Sequence, residues 1–554
     1  VGYQPTLAAD LAADFYRSLL LDRTSLGEAL RQAKCHARAR VTEMDAEAIQ
    51  RQLTWAAFVL YGDPTPQLLR TLRVAPAQPR PIQTLDTGLK PPVQPRVAQS
   101  AAPRTISRPH KGVEQPRLRL SQATVRTLAT GSDMRILDSD GTRGATDLAE
   151  GEVELQLVEK NGVRYWQTVA VQGTPQPLGV GPRLAQAAAT TDGERGLGDV
   201  LRIAGRWAVG VLTGRRQSVI TELARQYDRD TVPEQRLVTI GADGRCAPLG
   251  SWDWLRAAQQ AGQTDRVLLF VHGTFSQTSV PVADWAAEFL AWARRTYRGV
   301  LGFDHWTLSE TPEDNARLLW SLLDPELHAD HRLDIVTHSR GGLVARALVE
   351  LLGHGEAVRR VVFVGTPNAG TNLANPENWG TVADVLINLA HLSPIFAKLS
   401  GFLARLLIGH AEGRIPGLQA QNPSATGAAD FLGRLQRPAG LPPGVSYSVV
   451  AASYEPEAGE FNLKSLLAQV SDLGADAFYG HPNDLVVDTG SVWAVDAKPD
   501  YGLGTAGKLV PTNRLLLFNP DGSGVGDVVA QRGVHHNNLF TMLKTMEFLK
   551  AQLA

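Results

Sequence analysis

Residues 236–554 are predicted to form an α/β domain: a doubly wound, mostly parallel sheet with helices on both faces and a helical cap. Three observations predict it. Short apolar runs alternate with stretches of helical periodicity from Val267 onward. Two of these runs, Val267-Leu268-Leu269-Phe270-Val271 and Val361-Val362-Phe363-Val364, are apolar at every position, as parallel strands buried on both faces must be. The run from Leu333 ends at Thr337, Ser339 follows two residues later, then Gly341-Gly342, then helical spacing through Ala345, Ala347 and Leu348.

That last stretch reads as strand, sharp turn, helix. Such a turn presents a serine Oγ at the carboxyl edge of a sheet with a helix N-terminus behind it, which makes Ser339 the candidate nucleophile. The turn is crowded and needs small neighbours, supplied by Gly341 and Gly342, while Thr337 replaces the glycine usual at the first position of G-x-S-x-G. The other strands are expected at Gly299 to Phe303, Tyr447 to Ala452 and Arg514 to Phe518. In open α/β sheets the site lies beyond the carboxyl ends of the strands.

Four groups converge there. After Val271 comes His272-Gly273-Thr274-Phe275-Ser276, the loop where acyl transfer needs a backbone N–H aimed at the developing oxyanion. Phe275 or Thr274 supplies the first donor and Arg340, next to the serine, the second; His272 braces the loop. The acid is expected ahead of the histidine, at Asp484 in an Asn-Asp turn, with Asp488 as the weaker substitute. A loop histidine before the last helix is wanted as the base, and His535 and His536 both stand there. The order serine, acid, histidine follows.

These residues, together with Gly302-Phe303-Asp304-His305, Asn315-Ala316 and Val364-Gly365-Thr366-Pro367-Asn368-Ala369-Gly370, resemble a bacterial lipase or esterase domain of the α/β-hydrolase superfamily. The resemblance covers roughly 236–554. It implies hydrolysis of a small-molecule ester or lipid by Ser339, Asp484 and His536, the last favoured over His535 by the spacing His-x-Asn-x-Phe, with no metal or organic cofactor. It also implies that Thr366-Pro367 shapes the pocket wall, and that Asp304 and His305 either line the site or hold it by hydrogen bonds. Between wall and acid, about 371–445, Val382, Val385, Leu386 and Leu389, then Phe396, Leu399, Phe402 and Leu403, recur at helical spacing. They are expected to form a greasy cap that favours acyl chains and touches a membrane peripherally, or simply to pack the cap's own core.

Upstream, three segments are expected: 1–73, 74–117 and 118–235. The first is helical, with Ser25-Leu26-Gly27-Glu28 as a capping box. Phe15-Tyr16, Gly27 to Arg31 and the run Trp55 to Pro64 make it resemble the last part of a CHAT domain, a caspase-like peptidase fold, without that family's catalytic residues. Cys35 is therefore read as an ordinary helix residue. The second segment is punctuated by prolines and reads as a semi-extended linker. The third is a small β-rich module with a hairpin turning at Asn161-Gly162 and helices around Val200 to Leu212 and Ser218 to Tyr227; a second hairpin, from Leu237 to Ala247, is expected to start the α/β domain.

At 554 residues with a formal charge of -1 and pI near 7.0, the chain has several domains and no basic footprint for nucleic acid. Two cysteines, Cys35 and Cys246, imply neither a disulfide framework nor a zinc site and point to a reducing, cytoplasmic setting. No apolar run is long enough to span a membrane. The first residue is Val1, which reads as a fragment or processing product. Two rival functions remain open, an effector controlled by a linked CHAT peptidase module and a hydrolase fold used only for binding.

Overall fold

The computed structural model describes residue 14, residues 134–137, 148, 152–160, 163–169, 174–183, 185–186 and 202–210, and then 216–554 except 262–263, 409–414, 428–429, 436–439, 458–480, 497–502, 504–506 and 508. Two compact units divide the chain, Val1–Leu118 and Arg119–Ala554. In the first, Asp14 is helical and buried. The other expectations for 1–117, the CHAT-like helices and the proline-rich linker, lie outside the described residues.

The second unit opens with a five-stranded antiparallel sheet of β1 (Met134–Leu137), β2 (Glu152–Lys160), β3 (Val163–Val169), β4 (Gln176–Pro177) and β5 (Arg202–Gly210), in the order β1-β5-β2-β3-β4. Lys160 pairs with Val163, as a hairpin turning at Asn161-Gly162 requires. The expected helix around 200–212 is instead strand β5. Its register with β2 buries Trp207 and Val209 and sets Arg206 opposite Gln156, with its guanidinium in an ion pair to Glu154, and this partner strand decides against the local helical reading. Helix α1 (Arg216–Thr231) follows, where Ser218 to Tyr227 was expected helical.

A nine-stranded sheet then forms from β6 (Arg236–Ile240), β7 (Cys246–Pro248), β8 (Val267–Val271), β9 (Gly299–Asp304), β10 (Leu333–His338), β11 (Val358–Val364), β12 (Ser446–Ala452), β13 (Leu515–Phe518) and β14 (Asp527–Val529). Its order is β14-β13-β12-β11-β10-β8-β9-β6-β7. Neighbours run parallel from β14 to β9, and β6 and β7 close one edge antiparallel. The mixed α/β fold with a mostly parallel central sheet is thus the architecture of this unit.

Alternate residues of one strand feed opposite layers. Leu269, Val271 and Ile335 pack with α2 (Asp253–Gln260), α4 (Pro312–Leu322) and α5 (Gly341–Arg346), whereas Leu268, Phe270 and Val336 pack with α3 (Ala287–Thr296) and α8 (Leu543–Leu553). The register aligns Thr337 with Val271, Val271 with Phe303 and His338 with Val364. Four loops therefore leave the sheet at one level, and the site lies there.

The insertion after β11 carries α6 (Trp379–Asn388) and α7 (Pro394–Ile408). These cap helices share one hydrophobic cluster with Trp166 and Trp207 of the five-stranded sheet. Asp384 on α6 accepts the N–H groups of Trp166 (2.9 Å) and Gly181 (2.8 Å), and Trp166 Nε1–H donates to Ser400 Oγ on α7 (2.8 Å). Asn388 exchanges two bonds with the Arg164 backbone (2.9 and 2.7 Å). The large apolar side chains of α6 and α7 are consequently buried or, at Ile395 and Leu407, partly buried against protein, and among the described residues the exposed large hydrophobics, Ile203, Val280 and Leu543, all lie outside the cap. No helix among the described residues is long and apolar enough to cross a membrane.

Candidate active site

Ser339 sits at φ 52°, in the left-handed region. A non-glycine residue there costs about 1–3 kcal/mol and persists only where the surroundings over-determine it. They do. Its N–H donates to Val364 O on β11 (2.9 Å), and Gly342 N–H and Leu343 N–H bond back to Ser339 O and Arg340 O to start α5. The turn is packed against β8 so closely that a Cβ on Gly341 would lie 2.2 Å from Val271 O, and one on Gly273 2.6 Å from Ser339 Cβ. Thr337 is buried, with its hydroxyl at 3.4 Å from Val362 O and 3.3 Å from Thr366 Oγ1, which is how a residue larger than glycine is accommodated.

Asp484 is fully buried in a turn whose next residue, Leu485, also has positive φ, at 79°. One carboxylate oxygen accepts the N–H groups of Val486 (3.0 Å) and Val487 (2.7 Å); the other lies 2.8 Å from His536 Nδ1. A carboxylate only accepts, so Nδ1 of His536 carries the proton and the neutral ring presents its Nε2 lone pair. Backbone geometry repeats the link, because His536 N–H donates to Asp484 O (2.9 Å). Asp488 has no hydrogen bond to either histidine; burial, then the charge of Asp484, raises it to about 7. His535 points elsewhere, with its Nδ1 accepting Asn537 N–H (3.3 Å) and its ring near Phe396 and Tyr454, and burial pulls it down to about 4.

His338, to which sequence reasoning assigned no role, reaches across to the same loop. Its Nε2–H donates to the His536 backbone carbonyl (3.0 Å), and burial, then the neighbouring His536, lowers it to about 3. The only signal in the sequence was its place directly before the serine.

The loop after β8 is braced by two stacked imidazoles. His272 and His305 rings lie 4.1 Å apart at 24°. His305 N–H donates to His272 Nε2 (3.2 Å), so His272 Nδ1 carries the proton and donates to Gly273 O (3.0 Å); burial holds His272 near 4. This bond fixes the Gly273–Thr274 peptide plane. In a trans peptide the N–H points opposite to its carbonyl, so pinning Gly273 O on one side turns Thr274 N–H to the other. The N–H of Phe275, itself at φ 59°, is already engaged with Thr307 Oγ1 (3.2 Å). Among the described residues neither Thr274 N–H nor Arg340 N–H meets a protein acceptor. Asp304 is held in structure, accepting Thr278 N–H (2.8 Å).

Ser339 and His536 open into one pocket, whose walls include Phe275, Leu373, Ile395, Phe396, Leu399 and Val486. Thr274, Ser276, His338, Thr371, Gln421 and Asn537 add polar atoms to the lining. Among the described residues no group of three His, Cys, Asp or Glu side chains is arranged to hold a metal ion.

A family model described as Domain of unknown function (DUF7379) matches residues 243–554. No curated protein matches the chain in sequence. Among solved structures it is similar to the mature form of lipase BlEst2 from Bacillus licheniformis, 17% identical over 52% of this chain and 92% of that one with a TM-score of 0.31. EstA from Clostridium botulinum is 12% identical over 52% and 87% with a TM-score of 0.33, and lipase 1 from Pelosinus fermentans 13% identical over 52% and 99% with a TM-score of 0.32.

Proposed function

The chain belongs to the DUF7379 family, and from the site it carries we propose that it is a serine carboxylic-ester hydrolase of the α/β-hydrolase type. The observation that carries this reading is the Asp484–His536 pair, 2.8 Å apart, whose histidine lines the same pocket as a serine on a strained strand-to-helix turn. In the proposed cycle Ser339 Oγ attacks the ester carbonyl while His536 Nε2 takes its proton. Asp484 holds the ring's orientation and stabilises the imidazolium. The N–H groups of Arg340 and Thr274 receive the oxyanion, Thr274 replacing Phe275 because the latter's N–H is engaged by Thr307. His536 then protonates the departing alkoxide, and water, activated by the same imidazole, releases the acid.

An apolar acyl group suits the pocket, since Leu373, Ile395, Phe396 and Leu399 can only desolvate what enters. Labelling by a fluorophosphonate and hydrolysis of p-nitrophenyl esters test the assignment. Both should be lost in Ser339→Ala, and labelling retained in that variant would reject the nucleophile. Turnover should rise with acyl length from acetate; a preference for acetate would reject the apolar-acyl part alone.

A further inference from the structure

The oxyanion loop is held from a part of the chain that precedes the family match. Asp228 lies near the end of α1 and is 3% exposed. One of its oxygens accepts the N–H groups of Thr307 (2.8 Å) and Leu308 (3.1 Å); the other accepts Ser309 N–H (2.7 Å), Ser309 Oγ–H (2.7 Å) and, more weakly, Leu308 N–H (3.2 Å). A buried carboxylate clasped by three successive amides makes the loop after β9 a fixed body. The Thr307 hydroxyl lies 3.5 Å from Asp228 and 3.2 Å from Phe275 N. Directed toward the carboxylate, its proton leaves a lone pair for the Phe275 N–H, whose peptide follows Thr274.

Two further contacts tie α1 to the same place. Tyr227 meets Phe275 edge-on at 6.4 Å and Phe402 of cap helix α7 at 4.7 Å, and those two phenyl rings meet each other at 5.2 Å. The fully buried Arg340 guanidinium, on the residue offering the second donor, donates to Glu310 O (2.6 Å); burial lowers its pKa to about 10, and the charges of Asp228, Glu310 and Asp314 oppose that shift.

We propose that Asp228 is a positioning residue for acyl transfer: it fixes Thr307 to Ser309 and, through the Thr307 hydroxyl, the peptide beside the oxyanion donor. The proposal rests on the serine-hydrolase reading. It makes the helix before residue 243 part of the catalytic unit rather than of a separate module. Every contact of Asp228 requires an acceptor, so Asp228→Asn turns an amide NH₂ toward N–H donors at nearly unchanged volume.

The test uses the whole chain, p-nitrophenyl ester turnover and a count of active sites by fluorophosphonate. In Asp228→Asn, kcat per titrated site should fall about 10- to 100-fold, as misplaced catalytic groups do, with KM changed less than about threefold. Affinity for an alkyl boronic acid, which forms a tetrahedral adduct on the serine, should fall in step with kcat. Thr307→Val should show the same pattern, and the double variant should be little worse than either single one. Thr307→Val also keeps the test decisive if Asp228→Asn fails to fold. A merely structural role lowers the titrated fraction and leaves kcat per site unchanged, and that result in Thr307→Val would overturn the proposal. Wild-type chain that neither labels nor hydrolyses esters would overturn the serine-hydrolase reading beneath it.

Discussion

Asp484 and His536 are joined twice, by Oδ2 to Nδ1 at 2.8 Å and by the His536 N–H to the Asp484 carbonyl at 2.9 Å. The backbone bond sets the two loops against each other, and the side-chain bond then needs no search. Asp484→Asn should therefore lower kcat by about 10⁴, the scale seen when the acid of such a triad loses its charge and the histidine its tautomer. Asp488→Asn, which removes a carboxylate bonded to neither histidine, should cost less than about tenfold. Ester kinetics on both variants decide; equal losses would remove Asp484 from its assigned role.

Gly273 marks where the loop after β8 and Ser339 touch. A methyl there would lie 2.6 Å from Ser339 Cβ and 3.3 Å from its Oγ, so one of the two segments must move. Gly273→Ala should reduce turnover by about 100-fold or more while leaving circular dichroism unchanged, since a displacement of about 1 Å in a catalytic site costs this much. Full activity would show that the loop does not carry an oxyanion donor.

Stability should fall as pH drops below neutrality. His272, His305, His338 and His535 are held below their ordinary pKa by burial, the first, third and fourth near 4, 3 and 4. Near pH 5 these four are neutral when folded and protonated when unfolded, so unfolding takes up four protons. Asp384 and Asp488, both raised by burial to about 7, oppose this, since each holds a proton when folded and loses it on unfolding. The imidazoles outnumber these two carboxyls, so stability should decrease as pH falls through 6 to 4.5. Urea unfolding of the whole chain across that window measures the slope, and a slope of opposite sign would contradict the burial of these imidazoles.

The five-stranded sheet should be what fixes the cap. Asp384→Ala leaves the N–H groups of Trp166 and Gly181 buried without an acceptor, at about 1–3 kcal/mol each. A lower melting temperature and faster protease cleavage within 379–408 are expected, compared with Glu377→Ala on the exposed surface. Equal protease resistance would mean that the cap is held by its own packing.

Much of this site is carried by local chemistry. Val267 to Val271 and Val361 to Val364 have no polar residue to place in water, so they become central strands wherever they fold, and Ser339 between His338 and Gly341 can hardly avoid a turn. Strand β5 was misread as helix because its decisive partner, Glu154, stands 52 residues away on β2.

From the order of its residues alone this chain specified a parallel α/β sheet, a serine on a strand-to-helix turn, and an acid and a histidine following in that order. The fold decided which histidine meets which acid and which N–H of the loop after β8 is engaged by a protein acceptor. Adjacent side chains such as His535 and His536 differ in direction through backbone dihedrals set by distant contacts, here the bond of His536 N–H to Asp484 O. The Phe275 N–H was committed by Thr307, and Thr307 by Asp228, through bonds spanning 32 and 79 positions that no local pattern contains. Periodicity records what neighbouring residues bury together, whereas the aim of a hydrogen bond is set only once the remote segments have packed.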